Sequence, residues 1–109
     1  MKVNKMREAL KTVETITFSK HFYEPKVRLR GISEEEVIKN LKKGNRLIVV
    51  EDRGEEPKGH KYALLFKKSN KYDLKVVVSL KGKNLNVITA HIQSIKRRKV
   101  YEKWLERRR

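Results

Sequence analysis

The chain contains no cysteine, two prolines, five glycines and one tryptophan among its 109 residues. The missing cysteines exclude disulfides, thiolate chemistry and zinc held by thiols. The glycines are scattered at turn-like positions, so no Gly-rich loop is available to cradle a nucleotide phosphate. No apolar run approaches the ~20 residues that cross a bilayer as a helix. Histidine is scarce as well, with only His21, His60 and His91. No His-x-x-x-His pair or His/Asp/Glu cluster has metal-ligand spacing, and the surrounding cations oppose a divalent ion. Neither a metal nor a small-molecule cofactor is expected.

Acid is the other shortage. Asp and Glu number 13 against 29 Lys and Arg, giving a formal net charge of +16 and a pI near 10.3. Such an excess repels itself in the folded state, so a polyanionic partner is the natural explanation. Nucleic acid ranks first, because neutralising phosphates releases counterions. An anionic membrane ranks behind it for want of a strongly amphipathic Trp/Phe/Leu face, and no membrane partner is expected. Heat adaptation enriches Lys and Glu together, which accounts for the charge density but not for its imbalance. The start, Met1 to Lys5, lacks the apolar core of a signal peptide, so a cytoplasmic location is expected. The length fits one domain, 1–109.

Periodicity divides the chain. Val3, Met6, Leu10 and Val13 recur at helical spacing and predict a short helix over 3–12. Thr15–Phe18 reads as a short strand or extended lead-in. A helix is favoured between Ser19 and Leu29; Pro25 is tolerated only in a first turn, which would start the helix near Tyr23 and leave His21 just ahead of it. The next helix, 34–43, has every local signal. Ser33 is its N-cap, Glu36 completes a capping box, and Ile32 with Val37 forms a hydrophobic staple. Glu34–Glu36 and Lys39, Lys42 and Lys43 match the two ends of its dipole, and Gly44 stops it.

The period then changes to two. Leu47–Val50 predicts a strand, Asp52–Gly59 a polar loop, and His60–Lys67, Tyr72–Leu80 and Leu85–His91 three further strands joined by short turns. Ile95, Val100, Tyr101, Trp104 and Leu105 give the last helix an apolar stripe. The expected architecture is α+β: N-terminal helices, a four-stranded antiparallel β-meander, and a basic C-terminal helix packed on the sheet.

Histidine is the default general acid or base near neutral pH. Two histidines would suit metal-independent RNA cleavage, one taking the 2′-hydroxyl proton and the other protonating the leaving 5′-oxygen. His60 reads as a surface residue. His91, ending an apolar strand, reads equally as a half-buried structural residue or a proton-transfer group. Between Lys96 and Arg109 eight basic side chains face only Glu102 and Glu106, more than a solvated face requires. Phosphate contacts from Lys96, Arg97, Arg98, Lys99 and Lys103 are expected there, and Lys61, on the His60–Lys67 strand, is expected to hold phosphate with Arg28 and Arg30. Lys67, Lys68, Lys71, Lys75, Lys81 and Lys83 read as a solvated face. Tyr101 and Trp104 are suited to base stacking, but their spacing beside Val100 and Leu105 reads as core.

Ser19-Lys20-His21 followed by Arg30-Gly31-Ile32-Ser33-x-x-Glu36-Val37, with later strands Lys75–Val78 and Val87–Ala90, resembles a family of small prokaryotic domains. That family looks related to RelE-like and BrnT-like toxins, within the barnase, colicin and RelE-type ribonuclease folds. The resemblance covers roughly residues 16–95. It implies a RelE-like α+β domain that binds RNA; a further reading is a toxin-fold subunit whose groove is filled by an acidic antitoxin protein. It also implies that His21, His91 and Arg30 lie at the catalytic cleft, with Lys26 and Arg28 facing RNA. The resulting expectation is an RNA-binding, toxin-like endoribonuclease. The alternative is a non-catalytic nucleic-acid-binding or ribosome-associated protein using the same basic surface.

Overall fold

The computed structural model describes residues 2–24 and 31–107, the side chains of residues 101, 102 and 105–107 excepted. In chain order it comprises helix α1 (Val3–Lys11), strand β1 (Thr15–Phe18), a 3₁₀ turn (Lys20–Tyr23) and helix α2 (Glu34–Lys43). Strands β2 (Leu47–Glu56), β3 (Gly59–Lys67), β4 (Tyr72–Lys81) and β5 (Asn84–Ser94) follow, then helix α3 (Ile95–Arg107).

Local chemistry shapes α2. The Ser33 hydroxyl accepts from the Glu36 N–H at 3.1 Å, satisfying a donor that the first turn leaves open. Ile32 and Val37 are both buried as a staple. Glu36, expected to close a capping box, instead sends its carboxylate to Lys68 Nζ at 2.5 Å and ties the helix to the β3–β4 turn. Gly44, at φ 64°, ends the helix in the left-handed region. Arg7 of α1 reaches this corner, donating to the Gly44 carbonyl at 2.8 Å and the Leu47 carbonyl at 2.9 Å.

The sheet has five strands in the order β1-β5-β4-β3-β2 and is mixed, which corrects the four-stranded antiparallel meander. Thr15–Phe18 is a real strand, paired in parallel with Asn84–Val87. Its four residues carry too little pattern to announce a partner 69 positions away. The expected loop from Asp52 is mostly strand. β2 passes through an irregularity between Asp52 and Glu55 and continues to Glu56, and the hairpin closes at Gly59. β5 runs on to Ser94, so His91 stands inside a strand and not at its end.

Met6, Leu10, Phe22, Ile32, Val37 and Leu41 pack against one face of the sheet. That face is built from Leu47, Tyr62, Leu64, Phe66, Leu74, Val76, Val78, Leu85, Val87 and Ala90. Of the helix expected between Ser19 and Leu29, the described residues Lys20–Tyr23 form a 3₁₀ turn. Glu24 is extended, as a residue before proline prefers to be. The remainder of that expected helix lies outside the described residues.

Two residues of the apolar stripe of α3, Val100 and Trp104, are not docked on the sheet as expected. Val100 is 68% exposed and Trp104, expected in the core, is 48% exposed. The helix is fastened at its base, where the Ile95 N–H donates to the Lys71 carbonyl at 3.1 Å and Arg98 Nε meets Asp73 Oδ2 at 3.0 Å. Lys96, Arg97 and Lys99 stay in water, while Arg98 turns inward to Asp73. Among the described residues no helix is long and apolar enough to cross a membrane.

Candidate functional site

The second face of the sheet is not covered by α1 or α2. Strand alternation puts Val49, Leu65, Lys75 and His91 in one row across β2, β3, β4 and β5, each the register partner of the next. Glu51, Ala63, Val77 and Thr89 form the adjacent row. Ala63, Leu65 and Val77 are buried, so the floor of this face is apolar while its central groups are titratable. The base of α3 forms a wall. Arg98 holds wholly buried Asp73, and the neighbouring Arg97 leans over the Lys75–His91 row.

Lys75, His91, Ile92, Gln93, Ser94 and Arg97 line an open cavity of about 490 Å³. A smaller recess of about 170 Å³ lies on its other side, walled by Val49, Glu51, Ala63, Leu65, Lys75, Gln93 and Arg97. Lys75, Gln93 and Arg97 belong to both. Burial on the apolar floor pushes the Lys75 ammonium below its ordinary pKa. The Arg53 guanidinium pushes it the same way and Arg97 adds to the effect, while Glu51 opposes them. Arg53 is itself partly neutralised, its Nε lying 3.4 Å from Glu51 Oε1. The result is an acidified ammonium directly across from an imidazole, under an arginine. Such a constellation can move protons at a bound phosphate and stabilise the charge that develops there.

A family described as a domain of unknown function, DUF4258, matches residues 18–92. The chain belongs to this family. No curated protein and no solved structure matches the chain. The DUF4258 match runs from the end of β1 into β5 and so includes Lys75 and His91. It leaves α1, α3 and Arg97 outside.

The residues expected from sequence are only partly brought together in this DUF4258 domain. His91 joins the cavity. His21 does not: its side chain is 70% exposed on the 3₁₀ turn, with Nδ1 2.9 Å from Glu24 Oε1. His60 is held at the surface by Asp52, 2.5 Å from Nε2, and stacks on Tyr62. The Asp52 carboxyl is held below its ordinary pKa by that bond and by the Gly54 N–H. Lys61 lies on the open face but pairs with Glu56 at 3.6 Å. Lys96, Arg97, Lys99 and Lys103 are exposed on α3. Arg98, expected to contact phosphate, is instead turned inward to Asp73 and fastens the helix. Lys26, Arg28 and Arg30 lie outside the described residues.

Lys75, Gln93, Glu51 and Arg53 are the site residues that sequence reasoning missed. Lys75 left one signal, being the only charge in the run Leu74–Leu80. Among the described residues no three His, Asp or Glu side chains gather as a metal site. A second cationic groove of about 430 Å³ lies between α2 and the β3–β4 turn, lined by Lys39, Lys43, Arg46, Lys67 and Lys68. It holds no histidine, and its Glu36 is engaged with Lys68.

Proposed function

We propose that the chain binds RNA across the open face of its sheet and cleaves it without a metal ion. His91, as neutral imidazole, takes the proton from a 2′-hydroxyl, whose oxygen attacks the adjacent phosphorus. The bond from phosphorus to the 5′-oxygen breaks, and the Lys75 ammonium delivers a proton to that leaving oxygen. The products are a 2′,3′-cyclic phosphate and a 5′-hydroxyl. Arg97 stabilises the extra charge on the pentacoordinate phosphorus, and the exposed cations of α3 hold the flanking phosphates.

One observation carries this reading: Lys75 and His91 are direct register partners on the open face and line one cavity with Arg97. On this reading the protein is a RelE-like cytoplasmic endoribonuclease, and an acidic antitoxin would occupy the same basic face.

The test is incubation of end-labelled RNA with the protein in EDTA, beside His91→Ala. Fragments ending in 2′,3′-cyclic phosphate that disappear in the variant support cleavage. Tight, salt-dependent binding with intact RNA sinks it. That outcome favours a non-catalytic binding module, a reading supported by the exposure of Lys96, Arg97, Lys99 and Lys103.

A further inference from the structure

Trp104 is the single tryptophan of the chain and stands 48% exposed on α3, one helical turn from Val100. With Lys96 and Arg97 these two side chains line an open recess of about 510 Å³. Its wall is apolar and its rim is cationic. Arg97 is shared: it lines this recess and both recesses over Lys75. A ligand anchored at Arg97 therefore has the titratable row on one side and the tryptophan on the other.

We propose that this recess seats an unpaired base of a single-stranded nucleic acid whose adjoining phosphate lies at Arg97. The proposal rests on the RNA-binding face described above and assigns its substrate class. An indole at half exposure offers a flat π-surface on which any base can stack, while lysine and arginine at the rim meet the backbone. The positive rim selects an anionic occupant. Bases in a duplex are already stacked on their neighbours and are not available to the indole, so the site favours single strands. An acidic protein segment would satisfy the charge, but it would make no use of an exposed aromatic surface beside the cation.

The lone tryptophan makes its own fluorescence the readout. The protein is titrated at low salt with a short single-stranded deoxyoligonucleotide, a strand of the same length made of abasic units, a duplex and polyglutamate. Binding is followed separately by anisotropy of labelled strands. The single strand is expected to quench Trp104 as it binds, and the abasic strand to bind more weakly without quenching. Trp104→Ala weakens single-strand binding about tenfold and Trp104→Phe restores most of it. The proposal is overturned by anisotropy that rises without quenching, by equal quenching from the abasic strand or duplex, or by no binding at all. Quenching by polyglutamate as strong as by the single strand points to an acidic protein instead and also overturns it. A fluorescence change with protein concentration alone points to a second copy, with the same consequence. A deoxy strand has no 2′-hydroxyl to attack with, so this result stands apart from whether RNA is cleaved.

Discussion

Arg98 Nε lies 3.0 Å from Oδ2 of Asp73, whose side chain is wholly buried while that of Arg98 is 24% exposed. This contact joins the first turn of α3 to β4, two residues from Lys75, and so fixes where Arg97 stands. A carboxylate shut away from water is favoured by a cation brought to it, and removing that cation takes away a charge partner from a buried site. Arg98→Leu is expected to lower stability by about 3 kcal/mol in urea unfolding. The double variant Asp73→Leu/Arg98→Leu should recover most of that loss. If Arg98→Leu unfolds like the parent, the clasp does not hold the helix.

The hairpin between β2 and β3 sets a second expectation. At Gly59, φ is 130°, and an added Cβ would lie 2.7 Å from the Leu80 carbonyl and 2.9 Å from the Ser79 hydroxyl. Neither the carbonyl nor the conformation can yield easily, so Gly59→Ala should cost about 2–3 kcal/mol. Gly82 is also left-handed, at φ 58°, but nothing lies within 4 Å of its added Cβ. Gly82→Ala should cost only about 1 kcal/mol. Equal losses at the two positions in thermal or urea unfolding would show that the close approach to Leu80 is unimportant.

Lys75 makes stability depend on pH in a defined direction. Its pKa is lowered in the fold by burial first, then by Arg53 and Arg97, whereas in the unfolded chain it returns to about 10.4. Between the lowered value and that ordinary one, the unfolded state binds more protons, so stability must rise with pH across this window. Below the lowered value both states are protonated and the penalty is constant. Lys75→Met should remove this rise, measured as the difference between the two proteins' unfolding free energies along pH. A difference that stays flat throughout the alkaline range contradicts the assignment.

In the proposed mechanism the same group would set the alkaline limb of cleavage. As the proton donor, Lys75 must be protonated, so the rate should fall as pH rises through its lowered pKa. Arg97→Gln removes a positive neighbour that contributes to the lowering, and the limb should move to higher pH as the rate drops. A limb that stays in place assigns the titration to another group.

These features differ in how far the sequence reveals them. Helix α2 is legible because its cap, staple, dipole charges and terminal glycine are all local and agree. The long strands are legible through their period of two. Parallel pairing of Thr15–Phe18 is not, because its partner is distant and its pattern is only four residues long. His91 is recognised by residue type, but its place is misjudged because Ile92-Gln93-Ser94 contains no turn signal and the strand continues. Lys75 escapes because a lysine in a basic chain reads as solvated until cross-strand register places it beside His91. Arg98 escapes for a related reason: its partner Asp73 is 25 positions away, so a structural ion pair looks like one more phosphate contact. Trp104 was legible as an aromatic but not as exposed, since helical spacing alone does not tell where a helix leaves the sheet.

In the proposed mechanism Lys75 and His91 act together on an RNA phosphodiester. Single-turnover cleavage of end-labelled RNA in EDTA, with wild type beside Lys75→Ala and His91→Ala, tests it most directly. The expected result is 2′,3′-cyclic phosphate ends from wild type and a rate loss of about 100-fold or more in each variant. Binding of an uncleavable deoxy strand should persist in both. RNA left intact by wild type, or cut equally well by either variant, would contradict the claim.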